Sequence, residues 1–189
     1  MKNYHIILSS NSPRRKELLA GLDLDFEVRV IKGVDETYPK DMPVMDIAEY
    51  IAARKADAYK AELTGNNLII TADTVVVLGN MVLGKPKKLD DACAMLRLLS
   101  GKTHHVVTGV CLTTAVKQKY FSVVTDVTFK ELTDREINYY VGRYKPLDKA
   151  GAYGIQEWIG YVGVTSISGS YFNVMGLPVQ RIYDELCNF

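Results

Sequence analysis

The run LIITAD, residues 68 to 73, continuing into VVVL, constrains the fold more than any other part of the chain. It is rich in aliphatic and β-branched residues, too short to span a bilayer and too apolar to face water. Such a run is satisfied only as a strand buried between neighbours. One carboxylate, Asp73, stands at its end or at a break in it. An acid entering an apolar strand is costly unless it is hydrogen-bonded, binds a metal or opens into a cleft, and clefts form at strand ends in α/β sheets.

The flanking sequence supplies the neighbours. YHIILS (4 to 9) reads as a first buried strand, after which Ser12-Pro13 has the form of an N-cap and first helical position, with Leu18, Leu19 and Leu22 as the apolar face. FEVRVI (26 to 31) alternates like a second strand. A helix from near Val44 places Ile47, Ile51, Ala52, Ala56 and Tyr59 along one side and leaves Lys55 at its edge. Leu89 to Leu99 reads as a helix ended by Gly101, and residues 105 to 116 and 119 to 130 as long strands joined near Lys117-Gln118. Thr133 and Glu136 are spaced as a capping box for a helix to about Val141, and Pro178 opens a last helix carrying Val179, Ile182, Tyr183 and Leu186. Early strand–helix alternation followed by hairpin-like strands predicts an α/β protein with a mixed sheet.

Composition narrows the class. With 189 residues, 48% hydrophobic and 24% charged, the chain has the material for one folded domain with a sizeable core. Its 23 basic and 22 acidic residues give a net charge of +1, so no global field draws nucleic acid or a membrane surface, and any preference for anions must be local. Cys93, Cys111 and Cys187 are odd in number and widely spaced, which argues against a disulfide framework or zinc site. MKNYHIILSS lacks the composition of a signal peptide. These features lead us to expect a cytoplasmic protein with no nucleic-acid or membrane partner.

Five groups of residues can carry chemistry. In Ser9-Ser10-Asn11-Ser12-Pro13-Arg14-Arg15, hydroxyls, helix N-terminal amides and two guanidinium groups follow a strand, a combination that suits phosphate and equally suits an ordinary capped helix. Asp73, with Thr74 after it, is the second. The third is Asp35-Glu36, hard oxygen donors that could hold Mg²⁺ or Mn²⁺ beside a phosphate, or simply face water. The fourth, Gly84-Lys85-Pro86 and Gly101-Lys102-Thr103, looks like a Walker lysine, but Leu96 stands where the first glycine of a P-loop belongs. Lys85 remains a candidate point charge for phosphate. The fifth is Asp148 to Gln156, DKAGAYGIQ, where small residues allow close backbone approach and Gln156 can pair with a base edge bearing donor and acceptor. His5, His104 and His105 are not spaced as a metal cluster and are read as structural.

Taken in order, SSNSPRR (9 to 15), VDE (34 to 36), RKA (54 to 56), ADT (72 to 74), GKP (84 to 86), LSGKTHHVVTGV (99 to 110), DKAGAYGIQ (148 to 156) and GSYFNVMGLP (169 to 178) resemble the Maf family of septum-formation-related nucleotide pyrophosphatases. The resemblance implies a fold like that of the inosine triphosphatase group, a mixed, bent sheet flanked by helices, with residues 1–189 forming a single domain of two lobes around a nucleotide cleft, often as a homodimer. It implies cleavage of a nucleoside triphosphate between the α- and β-phosphates with a divalent cation, Mg²⁺ or Mn²⁺. Asp73 matches the family's proton acceptor, and Arg14, Thr74 and Gln156 match positions tied to substrate choice. Ser9, Arg15, Lys55 and Lys85 would complete the substrate-binding set, and Glu36 and Asp73 the metal set. SPRR, ADT and GIQ resemble the dTTP/UTP branch rather than the 7-methyl-GTP branch. Arg54 departs from the family, which often carries glutamate there. The rival from another class is a nucleotide-sensing regulator of cell division that binds without turnover.

Overall fold

The computed structural model describes residues 4–189. Its elements, in chain order, are β1 (His5–Ser9), α1 (Pro13–Ala20), β2 (Phe26–Val28), α2 (Ile47–Asp57), β3 (Asn67–Leu78), β4 (Met81–Leu83), α3 (Leu89–Leu99), β5 (Thr103–Thr113), β6 (Gln118–Phe129), α4 (Asp134–Tyr144), α5 (Trp158–Gly163), β7 (Val164–Ser168), α6 (Tyr171–Met175) and α7 (Val179–Cys187). Short 3₁₀ turns lie at Lys60–Glu62 and Ala150–Ala152. The sheet has seven strands in the order β2-β1-β3-β5-β6-β7, with β4 paired to β3. β1 is parallel to β2 and β3, whereas β4 and β7 pair antiparallel, so the expected mixed sheet is present.

The chain divides into two compact units. The first comprises Met1–Asp73, Thr108–Val123 and Gly176–Phe189. Within it Ile7, Tyr59, Leu63 and Ile69 form one buried cluster, and Ala52, Ala56 and Cys111 another. The second cluster consists of small residues because α2 lies against β5 at very short range. A Cβ on Gly109 would fall 2.2–2.3 Å from the backbone of Ala48 and Glu49, so only glycine fits there. The buried Thr71 hydroxyl donates to the Ala52 carbonyl at 2.6 Å and pins α2 to β3.

The second unit comprises Thr74–Val107 and Val124–Met175. Its core joins Leu96 and Leu99 of α3, Val106 of β5, Phe129 of β6 and Ile137, Tyr140 and Val141 of α4 to Tyr153, Ile155 and Ile159. Helix α4 starts as its sequence predicts: Thr133 accepts from the Glu136 amide, and the Glu136 carboxylate accepts from the Thr133 amide.

Some expectations need correction. The second strand ends at Val28 rather than at residue 31, because the Arg29 carbonyl and the Ile31 amide are both bonded to the Tyr59 hydroxyl instead of to a neighbouring strand. Tyr183 is 43% exposed and lies off the packed face of α7, where Glu185 takes the inward position with Val179, Ile182 and Leu186. Glu185 is tolerated there because Lys119 and Arg181 bind its carboxylate. The glycine-containing stretch after residue 156 holds three elements, α5, β7 and α6, that the sequence did not suggest.

Candidate active site

In the first unit β1 and β2 end on the same side of the sheet, whereas β3 runs unbroken through Asp73 to Leu78, so Asp73 stands within a strand rather than at its end or at a break. Leu8 lies opposite both Val28 and Ile70, and Ser9 opposite Thr71. The loop after β1, the loop after β2 and Asp73 therefore lie together, at the edge where α/β sheets form ligand crevices. Ser12 caps α1 by accepting from the Arg15 amide at 3.4 Å, and Ser10, itself buried, accepts from the Ser12 amide at 3.2 Å. With Pro13 at the first helical position, the start of α1 is set as the sequence predicts.

The two arginines divide their work. Arg15 donates from Nε to the Gly176 carbonyl at 2.7 Å and from Nη1 to the Ala72 carbonyl at 2.8 Å, so its guanidinium grips the strand one residue before Asp73. Burial pushes the Arg15 pKa down, and the Asp73 carboxylate opposes that shift. Arg14 is half-buried one residue earlier.

Lys55 links the candidate carboxylates. Its Nζ donates to Asp73 Oδ1 at 2.7 Å and lies 3.1 Å from Glu36 Oε1. Lys55 and Asp73 are each 16% exposed at the side chain, whereas Glu36 is 56% exposed. Asp35, next to Glu36, is turned elsewhere: it accepts from the Thr37 amide and hydroxyl at 2.9 and 2.8 Å and faces Arg54 at 3.5 Å. The Thr37 bonds hold its pKa below the usual carboxylate value. Of the adjacent acids, Glu36 alone faces Lys55 and Asp73.

Tyr59, which helical spacing read only as apolar, is a tie between segments of the first unit. Its hydroxyl donates to the Arg29 carbonyl at 2.9 Å, accepts from the Ile31 amide at 2.8 Å and lies 2.7 Å from Ser9 Oγ. A phenol has one proton, which goes to Arg29, so Ser9 is the donor to Tyr59. The Ser9 hydroxyl thus ties the end of β1 to the loop that carries Glu36. Tyr59 lies past the end of α2 at Asp57, at the start of the Lys60–Glu62 turn, rather than on the helix face that its spacing suggested.

The remaining candidates belong to the second unit. Thr74 continues β3 directly after Asp73, and Lys85 is exposed in the turn between β4 and α3. The Gly84 carbonyl accepts from the Gly151 amide at 3.1 Å, which sets the Lys85 turn beside the DKAGAYGIQ loop. That loop ends at Gln156, whose Oε1 is buried and has no hydrogen-bond partner among the described residues. His104 is fully buried and bonds Tyr153 through Nε2 at 2.7 Å, and burial holds its pKa down to about 4. No group of three or more metal-ligating side chains occurs among the described residues, and the two hard oxygen donors that share Lys55 are the carboxylates of Glu36 and Asp73. That set suits Mg²⁺ or Mn²⁺, which take one or two carboxylates and complete their shell with phosphates and water. Nor is any helix among those residues long and apolar enough to cross a membrane.

Known proteins similar to this chain share a name. A protein from Phocaeicola vulgatus with the name dTTP/UTP pyrophosphatase is 61% identical over 186 residues, covering 98% of this chain and 96% of that one. Proteins of the same name from Parabacteroides distasonis and Flavobacterium psychrophilum are 56% and 51% identical over 100% and 99% of this chain, and over 98% and 95% of their own lengths. Among solved structures, a HAM1 protein from Coxiella burnetii shares the fold with a TM-score of 0.50 at 14% identity, covering 98% of this chain and all of that one. The family model for Maf-like proteins matches residues 5–189, and the chain belongs to the Maf family.

Proposed function

We propose that the protein hydrolyses dTTP and UTP to the nucleoside monophosphate and pyrophosphate. The observation that carries this reading is the Lys55 ammonium between the carboxylates of Asp73 and Glu36, at 2.7 and 3.1 Å, with Asp73 two residues past Thr71, the register partner of the last residue of β1. An ammonium and two acids, with the amides at the start of α1 and Arg14 close in sequence, form the charge set that phosphoryl transfer requires. Relatives at 51–61% identity carry the name of this activity over nearly the whole chain.

In this reading Asp73 takes the proton of a water that attacks the α-phosphorus. The new bond joins the water oxygen to Pα as the bond from Pα to the bridging oxygen breaks, and pyrophosphate leaves. Arg14, Lys55 and Lys85 offset the charge of the triphosphate, and Ser9 and Arg15 hold the loop and strand that present these groups. Glu36 and Asp73 would hold a divalent cation, Mg²⁺ or Mn²⁺, which when bound with substrate neutralises phosphate oxygens and polarises phosphorus. The substrates are free nucleotides rather than nucleic acid, the compartment is the cytoplasm, and the family's homodimer is the assembly we assign.

Base choice falls to Gln156, with Thr74 and Arg14. The buried Gln156 Oε1 is an acceptor awaiting a donor. Thymine and uracil offer such a donor at N3–H, flanked by carbonyl acceptors that suit the amide nitrogen.

Product analysis tests the reaction. Incubation of dTTP with the protein and Mg²⁺ or Mn²⁺ should release dTMP and pyrophosphate in equal amounts, and Asp73→Asn should lower kcat by about two orders of magnitude or more. Orthophosphate as the first product, or parent-like turnover by Asp73→Asn, would refute the assignment.

A further inference from the structure

The loop that carries Gln156 has its own brace, built from groups with no assigned part in hydrolysis. Ala152 adopts a left-handed backbone with φ +59°, a conformation that a residue bearing a Cβ holds only where its surroundings impose it. The Ala152 amide donates to the Lys149 carbonyl at 3.1 Å, and beyond it Tyr140, Lys149 and Glu157 bind the rest of the loop. The Tyr140 hydroxyl, on α4, accepts from the Gly154 amide at 3.0 Å and donates to Glu157 Oε2. The other Glu157 oxygen lies 3.1 Å from Lys149 Nζ, which also donates to Asp148 at 2.8 Å. The Lys149 side chain is 9% exposed and that of Glu157 20%.

This ion pair presses directly on the loop backbone. A Cβ at Gly154 would fall 2.9–3.0 Å from the Glu157 carboxylate and the Lys149 stem. Gln156 therefore has both flanks fixed: Ile155 is anchored in the core, and Glu157 is bound by Tyr140 and Lys149. The Lys149 ammonium is turned to this task.

A buried ion pair is a poor way to gain stability alone, since apolar residues of similar size commonly do as well. What a carboxylate bonded on both oxygens supplies is direction. Resting on the reading that Gln156 meets the base, we propose that Tyr140 and Glu157 are positioning residues for pyrimidine selection, which fix the Gln156 amide without touching substrate.

The test compares Tyr140→Phe, Glu157→Gln and Gln156→Ala in the full chain, measuring kcat and KM for dTTP, UTP and CTP, and inhibition by the base-free product pyrophosphate. Thermal unfolding identifies which variants are folded. In folded Tyr140→Phe, KM for dTTP and UTP should rise about tenfold, kcat should change less than about threefold, and the preference over CTP should narrow, while pyrophosphate inhibition stays at the parent value. Glu157→Gln keeps an acceptor for Tyr140 and loses the charge that holds Lys149, so it should fall between parent and Tyr140→Phe; it also carries the test if Tyr140→Phe does not fold. A merely structural role would lower turnover of all three nucleotides alike and leave their ratios unchanged, which would overturn the proposal. If Gln156→Ala itself leaves the ratios unchanged, the assignment of the base to Gln156 fails and the brace has nothing to position. If Gln156→Ala changes them and the folded brace variants do not, only the brace is refuted.

Discussion

Tyr59→Phe is the most informative single substitution for the way the first unit is held together. Tyr59 is 1% exposed, and its hydroxyl makes three hydrogen bonds, to Arg29, Ile31 and Ser9. Phenylalanine fills the ring space, so no cavity term arises beyond the missing oxygen. The Arg29 carbonyl and Ile31 amide lose their common partner, while Ser9, only half-buried, can turn to water. A net hydrogen bond contributes about 1 kcal/mol, and the part-buried Ile31 amide and Arg29 carbonyl lose theirs together. This gives a loss of about 2 kcal/mol, or a fall in Tm of about 4–8 °C for a domain of this size. Calorimetry and urea unfolding should both show it, with Tyr120→Phe, at a residue 57% exposed, as the control that stays near the parent. A double-mutant cycle with Ser9→Ala should give a coupling of at least about 0.5 kcal/mol. A loss below about 0.5 kcal/mol, or strict additivity with Ser9→Ala, would show that the three bonds do not fasten the β1 end to the Glu36 loop.

Other substitutions test separate parts of the structure. Lys55→Met leaves Asp73 and Glu36 facing one another without their common cation, and kcat/KM for dTTP should fall by about two to three orders of magnitude while circular dichroism remains that of the parent. Gly109→Ala sets a methyl group against the backbone of α2, where no side chain can yield, and should destabilise the fold by about 3 kcal/mol or more in denaturant unfolding. The His104 prediction concerns pH. Its folded pKa, about 4, lies below the ordinary value of 6.5, so between those limits the unfolded chain binds the extra proton. Stability is thus retained above about pH 6.5 and lost as pH falls toward 4, by up to about 3 kcal/mol from this residue. Tm measured across that range should fall less steeply in His104→Gln than in the parent.

What could be read from sequence follows from what each segment faces. Helix α3 spans the predicted residues, and α4 begins at its capping box, because the left-handed backbone of Gly101 and the reciprocal Thr133–Glu136 bonds specify helix ends locally. Strand β3 was legible because it is buried along most of its length. Strand β7 was not, since four of its five residues are exposed and it is placed by pairing with β6 rather than by an apolar pattern. At the site, Asp73 stood out as an acid in an apolar run, and Lys55 as the cation at the edge of a packed helix. That Glu36 rather than Asp35 faces Lys55 depends on the two bonds from Thr37, and two adjacent carboxylates do not announce which is bound. The roles of Tyr59 and Tyr140 depend on hydroxyl partners 28 to 50 and 14 to 17 positions away, which helical spacing does not carry.

The Arg15 guanidinium also bears on the order in which the molecule matures. One of its carbonyl partners, at Gly176, is 161 positions away and precedes the last helix. During synthesis, β1, α2 and β3 leave the ribosome well before this partner exists, so the guanidinium that bonds the Ala72 carbonyl lacks its Gly176 anchor until then. Contacts of such long sequence separation close late in folding. The Asp73 segment is therefore fully tied only once nearly the whole polypeptide has been made, and a prematurely terminated chain would carry every residue of ADT without this anchor.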